Sequence, residues 1–159
     1  MTDPPAEILR RLRPIPTSVG PPSTRPRDVL GQTPDGASCR VEVVEAAAPV
    51  VLLFLSAACL GCLDLWEGLG PLRAGLAGAA RLAVVTRSPC DEDASAIAAL
   101  AVGAPAGVVV VMSSEAFGDY RVAGPPFLVV ADAEAVRTES VAWGVEQTLD
   151  IARTGLRGG

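Results

Sequence analysis

Apolar residues in this chain fall into short unbroken runs and longer periodic stretches, and the two patterns alternate. Residues 50–55 are continuously apolar. A run that short suits a strand covered on both faces at the centre of a sheet, and 107–112 reads the same way. Residues 81–86 and 127–131 are further strands, and 136–142 follows as a last one around a turn at 132–135. Between them, 60–79 carries Leu63, Trp66, Leu69, Leu72 and Leu76 at spacings of three and four. That is an amphipathic helix, with a kink expected near Pro71. Ala-rich 92–101 makes a second helix, the segment through Tyr120 a short helical or looped piece, and 144–153 a closing helix stopped by Gly155. This order of elements means α/β with a mixed sheet.

Ahead of the first core strand, Val29 and Leu30 lead into Pro34-Asp35-Gly36 as turn chemistry. Cys39, Val41 and Val43 then alternate with Arg40 and Glu42, so the segment reads as a β-hairpin. Residues 1–27 differ in kind. Pro4, Pro5, Pro14, Pro16, Pro21, Pro22 and Pro26 forbid a long helix there, and only 6–12 has helical potential, with Ile8, Leu9 and Leu12 on one side. The expected organisation is a Pro-rich arm over 1–27 and one domain over 28–159, since 159 residues is an ordinary single-domain length.

Half the residues are hydrophobic and 19% are charged, which excludes wholesale disorder. Eighteen acidic against 13 basic residues leave a formal charge of −5, and no long basic run follows Arg13. Nucleic acid is not an expected partner. The absence of His removes Ser-His-Asp and Cys-His catalysis, His-based zinc sites and His-held haem. Sulfur and carboxylates have to carry any chemistry. No apolar stretch is long enough to cross a bilayer and no signal-peptide pattern opens at Met1. The expectation is a soluble protein, cytoplasmic by default, with a membrane-anchored or extracytoplasmic precursor left open.

Cys59-Leu60-Gly61-Cys62 is the informative motif. Two residues between cysteines at a helix start bring both sulfurs onto one turn, where they can close a small disulfide. The first thiol also meets the unsatisfied N–H groups of the helix N-terminus, so its pKa should fall from about 8.5 toward neutrality. Cys59 would attack a partner disulfide and Cys62 would resolve the mixed disulfide. The same spacing serves in zinc sites, but without His the further ligands would have to be Cys39 and Cys90, which lack paired spacing. A third reading is two buried structural cysteines. No metal and no tightly bound cofactor are expected.

Val122-Ala123-Gly124-Pro125-Pro126-Phe127 opens the apolar strand at 127. A buried strand, a C-x-x-C opening a helix and a later V-x-G-x-P before a strand together resemble the thioredoxin superfamily over roughly residues 28–155. The hairpin ahead of the first core strand makes the layout similar to TlpA- and MauD-type disulfide reductases. The resemblance implies a thioredoxin-like mixed central sheet flanked by helices, with the hairpin as an N-terminal extension. It also implies that Pro126 is cis and lies against the sulfurs as a docking face for a partner peptide, with Pro125 and Ala58 beside it. In the family the residue before that proline pairs its backbone with substrate, and Pro125 has no N–H to donate. Taken alone, Gly-Pro-Pro is equally an ordinary loop entering a strand.

Several positions depart from the pattern. Ala58 stands where thioredoxins usually carry Trp, and Leu60-Gly61 replaces Gly-Pro. The buried acid of thioredoxin falls near Leu53, leaving Asp64 and Glu67 as substitutes that read better as solvated helix acids. Trp66, Phe117, Tyr120 and Trp143 are expected in the core, and Cys39 and Cys90 have no defined partner. The leading expectation is a thiol–disulfide oxidoreductase acting on protein disulfides through Cys59 and Cys62. Its electrons would come from a partner protein, such as a reductase or a membrane-associated thiol carrier. A redox-inactive thioredoxin-like binding module is the alternative, favoured by Ala58, Leu53 and Pro125. A thiol peroxidase ranks last, because 53–59 lacks the Pro and Thr of P-x-x-T-x-x-C.

Overall fold

The computed structural model describes residues 24–158; the arm as far as residue 23, with its helical potential at 6–12, lies outside them. In chain order the elements are β1 (Val29–Gln32), β2 (Ser38–Val41), β3 (Val50–Phe54), α1 (Leu60–Glu67), α2 (Leu69–Leu76) and β4 (Arg81–Thr86). Then come α3 (Ala94–Ala101), β5 (Val109–Met112), α4 (Ser114–Asp119), β6 (Phe127–Ala131), β7 (Val136–Val141) and α5 (Gly144–Arg157). The strands form one mixed seven-stranded sheet in the order β2-β1-β5-β4-β3-β6-β7. β3 runs parallel to β4 and antiparallel to β6. Every residue of β3 is buried, which is why this strand is apolar without alternation.

The alternation of side chains across the sheet sorts the core into two layers. Val51, Leu53 and Leu55 face the layer that holds Cys62, Leu65, Trp66, Leu69, Leu72, Leu76, Ile97 and Ala152. Val50, Leu52 and Phe54 face Phe117, Tyr120 and the hairpin valines. There Phe54 meets Phe117 edge-on with ring centroids 5.0 Å apart. The Tyr120 hydroxyl accepts from the Arg27 backbone N–H at 2.8 Å and donates to the Arg27 carbonyl, fastening the segment ahead of β1 to this layer.

The helical stretch after Cys62 breaks at Gly68, one turn ahead of Pro71. A Cβ at Gly68 would overlap the Val145 side chain and stand 3.0 Å from the Asp64 carbonyl. Pro71 has no N–H to bond the Glu67 carbonyl, so the break falls where a proline in a continuous helix places it. Three expectations need correction. The buried stripe runs through Cys62, Leu65, Trp66 and Leu69, so Leu63 is 38% exposed while Leu65 is fully buried. The closing helix runs through Gly155 to Arg157. Gly155 is there for close packing on β7, because a Cβ would overlap Thr138 Oγ1 and lie 2.9 Å from Thr138 Cβ. Trp143 is 58% exposed, not core; Trp66, Phe117 and Tyr120 are buried.

Candidate active site

The site is built at the end of the most buried strand. Leu55 extends β3 by one more bond, its N–H donating to Val85 O at 2.9 Å. Ser56 then gathers the loop: its Oγ accepts from Ala58 N–H at 3.1 Å and its carbonyl accepts from the buried Trp66 Nε1 at 3.2 Å. Cys59 is the N-cap of α1, with extended backbone and no side-chain cap bond, and its carbonyl accepts the Cys62 N–H at 3.1 Å. The sulfur therefore stands beside helix N–H groups that lack intrahelical partners.

The two thiols differ in environment. Cys62 is fully buried and Cys59 half-buried, and all four cysteines are free thiols. Burial pushes the Cys62 pKa up to about 12, helped by its S–H donating to the Cys59 sulfur; the Ser56 backbone N–H works the other way, and the Cys59 and Glu92 charges add smaller upward pushes. Cys59 Sγ lies 3.8 Å from Pro125 O, and the Pro125–Pro126 peptide is cis. A Cβ built on Gly61 would stand 3.7 Å from both Cδ and Cγ of Pro126 and 3.9 Å from Cys59 Sγ. The buried Pro126 ring thus packs against the first turn of α1. Ala58 is exposed and Pro125 partly so.

Ala58, Cys59, Cys62, Pro125 and Pro126 come together at one place. The other candidates do not. Cys39 sits in β2, half-buried, and burial raises its pKa. Cys90 is exposed in the loop after β4, its Sγ 3.7 Å from Asp91 Oδ2. Among the described residues, no three His, Cys, Asp or Glu side chains gather as metal ligands, so the Cys39 and Cys90 zinc arrangement is not assembled. Asp64 and Glu67 are exposed on α1, and Leu53 is buried on the core side of β3. Ser56 and the indole N–H of Trp66 are the contributors that sequence reasoning passed over. The available signal was that a buried Trp nitrogen needs an acceptor.

No protein-family model matches this chain, and no curated protein matches it. Solved structures do. A putative thiol:disulfide interchange protein DsbE from Chlorobium tepidum is 16% identical, covering 87% of this chain and 99% of that one, with a TM-score of 0.67. The exposed lipoprotein thioredoxin Etrx1 of Streptococcus pneumoniae is 15% identical over 84% of this chain and 100% of that one, TM-score 0.65. Yeast Sco1 with copper bound is 13% identical over 88% of this chain and 96% of that one, TM-score 0.64. The chain has a thioredoxin-like fold, and its similarity to disulfide oxidoreductases holds at the level of architecture. Among the described residues, no helix is long and apolar enough to cross a membrane.

Proposed function

We propose that this protein is a thiol–disulfide oxidoreductase that reduces or exchanges protein disulfides through Cys59 and Cys62. The observation that carries the reading is the unequal pair: a partly exposed sulfur at a helix start, accepting a hydrogen bond from a buried thiol held protonated up to about pH 12. Cys59, as thiolate, attacks one sulfur of the substrate disulfide and forms a mixed disulfide, and the other substrate sulfur leaves and takes up a proton. The Cys59 sulfur then no longer carries charge. Two of the influences holding the Cys62 proton, the bond to Cys59 and the Cys59 charge, fall away at that moment. Cys62 loses its proton and attacks Cys59, releasing the substrate as a dithiol and leaving the Cys59–Cys62 disulfide. A donor dithiol protein restores the reduced pair by the reverse exchange.

Ala58 and Pro125, the accessible groups beside Cys59, form the face on which the substrate segment lies, with the buried Pro126 seating Pro125 against the first turn of α1. Pro125 offers a carbonyl beside Cys59 but no N–H, so docking there relies on accepting a hydrogen bond and on apolar contact. The alternative reading, a binding module without turnover, draws on Pro125 and on Leu53 in place of a buried proton acceptor. A redox titration of the Cys59–Cys62 pair in a Cys39→Ser/Cys90→Ser background, with an insulin reduction assay, separates the two. Reversible cycling and loss of reduction in Cys59→Ser support the oxidoreductase; a pair that forms no disulfide, or forms one without turnover, supports the module.

A further inference from the structure

The opposite end of the sheet carries a concavity that the sulfur chemistry does not use. β3 and β4 run parallel with Val50 beside Arg81, so Arg81 lies at the start of the strands and Cys59 beyond their far end. Five paired residues at about 3.3 Å each put some ~16 Å of strand between the two ends. Arg73, Ala77, Gly78, Arg81, Leu82 and Gly107 line a concavity of about 240 Å³ there. That is about eight water volumes.

Two arginines and no carboxylate line this space. Arg81 donates one Nη2 bond to Ala48 O at 3.0 Å, while its Nε is buried without an acceptor. Arg73 lies over Gly107, and a Cβ there would come 2.7 Å from Arg73 Nη2 and 3.2 Å from its Nε. Gly107 has φ +89, so both its conformation and its missing side chain keep room for that guanidinium. The end of α2 does not need either arginine, because Ala74 O and Leu76 O accept from the Ala77, Ala79 and Ala80 N–H groups. Among the described residues neither Arg73 nor Arg81 forms an ion pair, in a chain whose formal net charge is −5.

The geometry points to an oxyanion site at this end of the molecule, with Arg73 and Arg81 holding a phosphate group. Planar guanidinium donors match the oxygens of a phosphate, and Arg73 and Arg81 both border the concavity with no carboxylate beside them. The shared ligand chemistry is a phosphate, free in solution or on a lipid headgroup.

The test uses the full chain. Binding of pyrophosphate is measured by isothermal titration at constant ionic strength, and binding to phosphatidic acid vesicles by co-sedimentation, with phosphatidylcholine vesicles as the control. Saturable binding in either arm, weakened tenfold or more in Arg73→Gln and in Gly107→Ala, supports the site, and the arm that responds identifies the source. Arg73 is exposed, so Arg73→Gln is the variant expected to fold, and an unchanged circular dichroism spectrum verifies it. Absence of binding in both arms, or binding that Arg73→Gln leaves intact, overturns the proposal.

Discussion

Alkylation of the reduced protein probes the unequal thiols directly. Cys62 moves from an ordinary 9.0 to about 12, and each unit is a factor of ten in thiolate at a fixed pH below both values. At pH 8 the reactive form of Cys62 is therefore depleted by about a thousandfold relative to the same residue in the unfolded chain. Its complete burial slows the reagent further. Iodoacetamide pulses on the Cys39→Ser/Cys90→Ser protein, with peptide mass spectrometry, should label Cys59 while leaving Cys62 unmodified until the protein unfolds. In Cys59→Ala the hydrogen bond and the neighbouring charge are gone but burial remains, so Cys62 should label faster than before and still far more slowly than in urea. The same shift makes stability pH-dependent at the alkaline end. A thiol whose folded pKa is raised contributes fully below about 9 and loses that contribution as pH climbs toward 12. Labelling of Cys62 at the rate of Cys59 in the folded protein would refute the reasoning.

Three further outcomes follow from packing and hydrogen bonding. The Asp28 carboxylate accepts from Val43 and Val44 N–H at 2.7 and 3.0 Å and pairs with Arg40; these bonds, the Val43 one foremost, lower its pKa from 3.8 to about 2. Its contribution is complete above pH 4 and fades as pH falls toward 2, so Asp28→Ala should cost about 1–3 kcal/mol at pH 7, and urea melts across that range should converge with wild type at the acid end. Gly70 in α2 has open space around a Cβ, and Gly70→Ala should stabilise by about 0.5–1 kcal/mol. Gly155→Ala, driven into Thr138, should destabilise by about 1–3 kcal/mol; thermal melts with the same sign for both would contradict the packing described. Trp66→Phe keeps an aromatic ring but shrinks the buried side chain and orphans the Ser56 carbonyl, and a loss of at least about 1–3 kcal/mol with a shifted Cys59–Cys62 reduction potential is expected. An unchanged potential would mean the indole N–H does not hold the loop before Cys59.

Much of this arrangement was legible because local and global signals agree. The unbroken apolar run at 50–55 could only be satisfied with neighbours on both sides and both faces, and β3 has them. The Cys59–Cys62 spacing and the strand after Pro126 located the site for the same reason. Illegible features depend on partners distant in sequence. Gly155 reads as a stop until Thr138 is placed under it, and nothing local shows that Val145 fills the space beside Gly68. Trp143 follows Ala142, whose N–H bonds Pro126 O at 3.2 Å, and sits at a strand-to-helix corner that hydrophobicity alone cannot distinguish from an interior position. The Arg81 orphan was invisible for the converse reason: the sequence shows a donor but never whether an acceptor arrives.

The break at Gly68 makes the molecule jointed. Cys59 and Cys62 ride on one rod of eight residues and Arg73 on another of eight, with Val145 from a third acting as a wedge in the notch between them. A single continuous helix would carry a rotation at its first turn through to its last. Here Gly68 N–H still bonds Asp64 O at 2.9 Å and Leu72 N–H bonds Gly68 O at 3.0 Å, so the two rods bend at the wedge without coming apart. Any side chain larger than hydrogen at position 68 would collide with Val145 and crowd the Asp64 carbonyl, so the notch admits the wedge only because residue 68 is glycine.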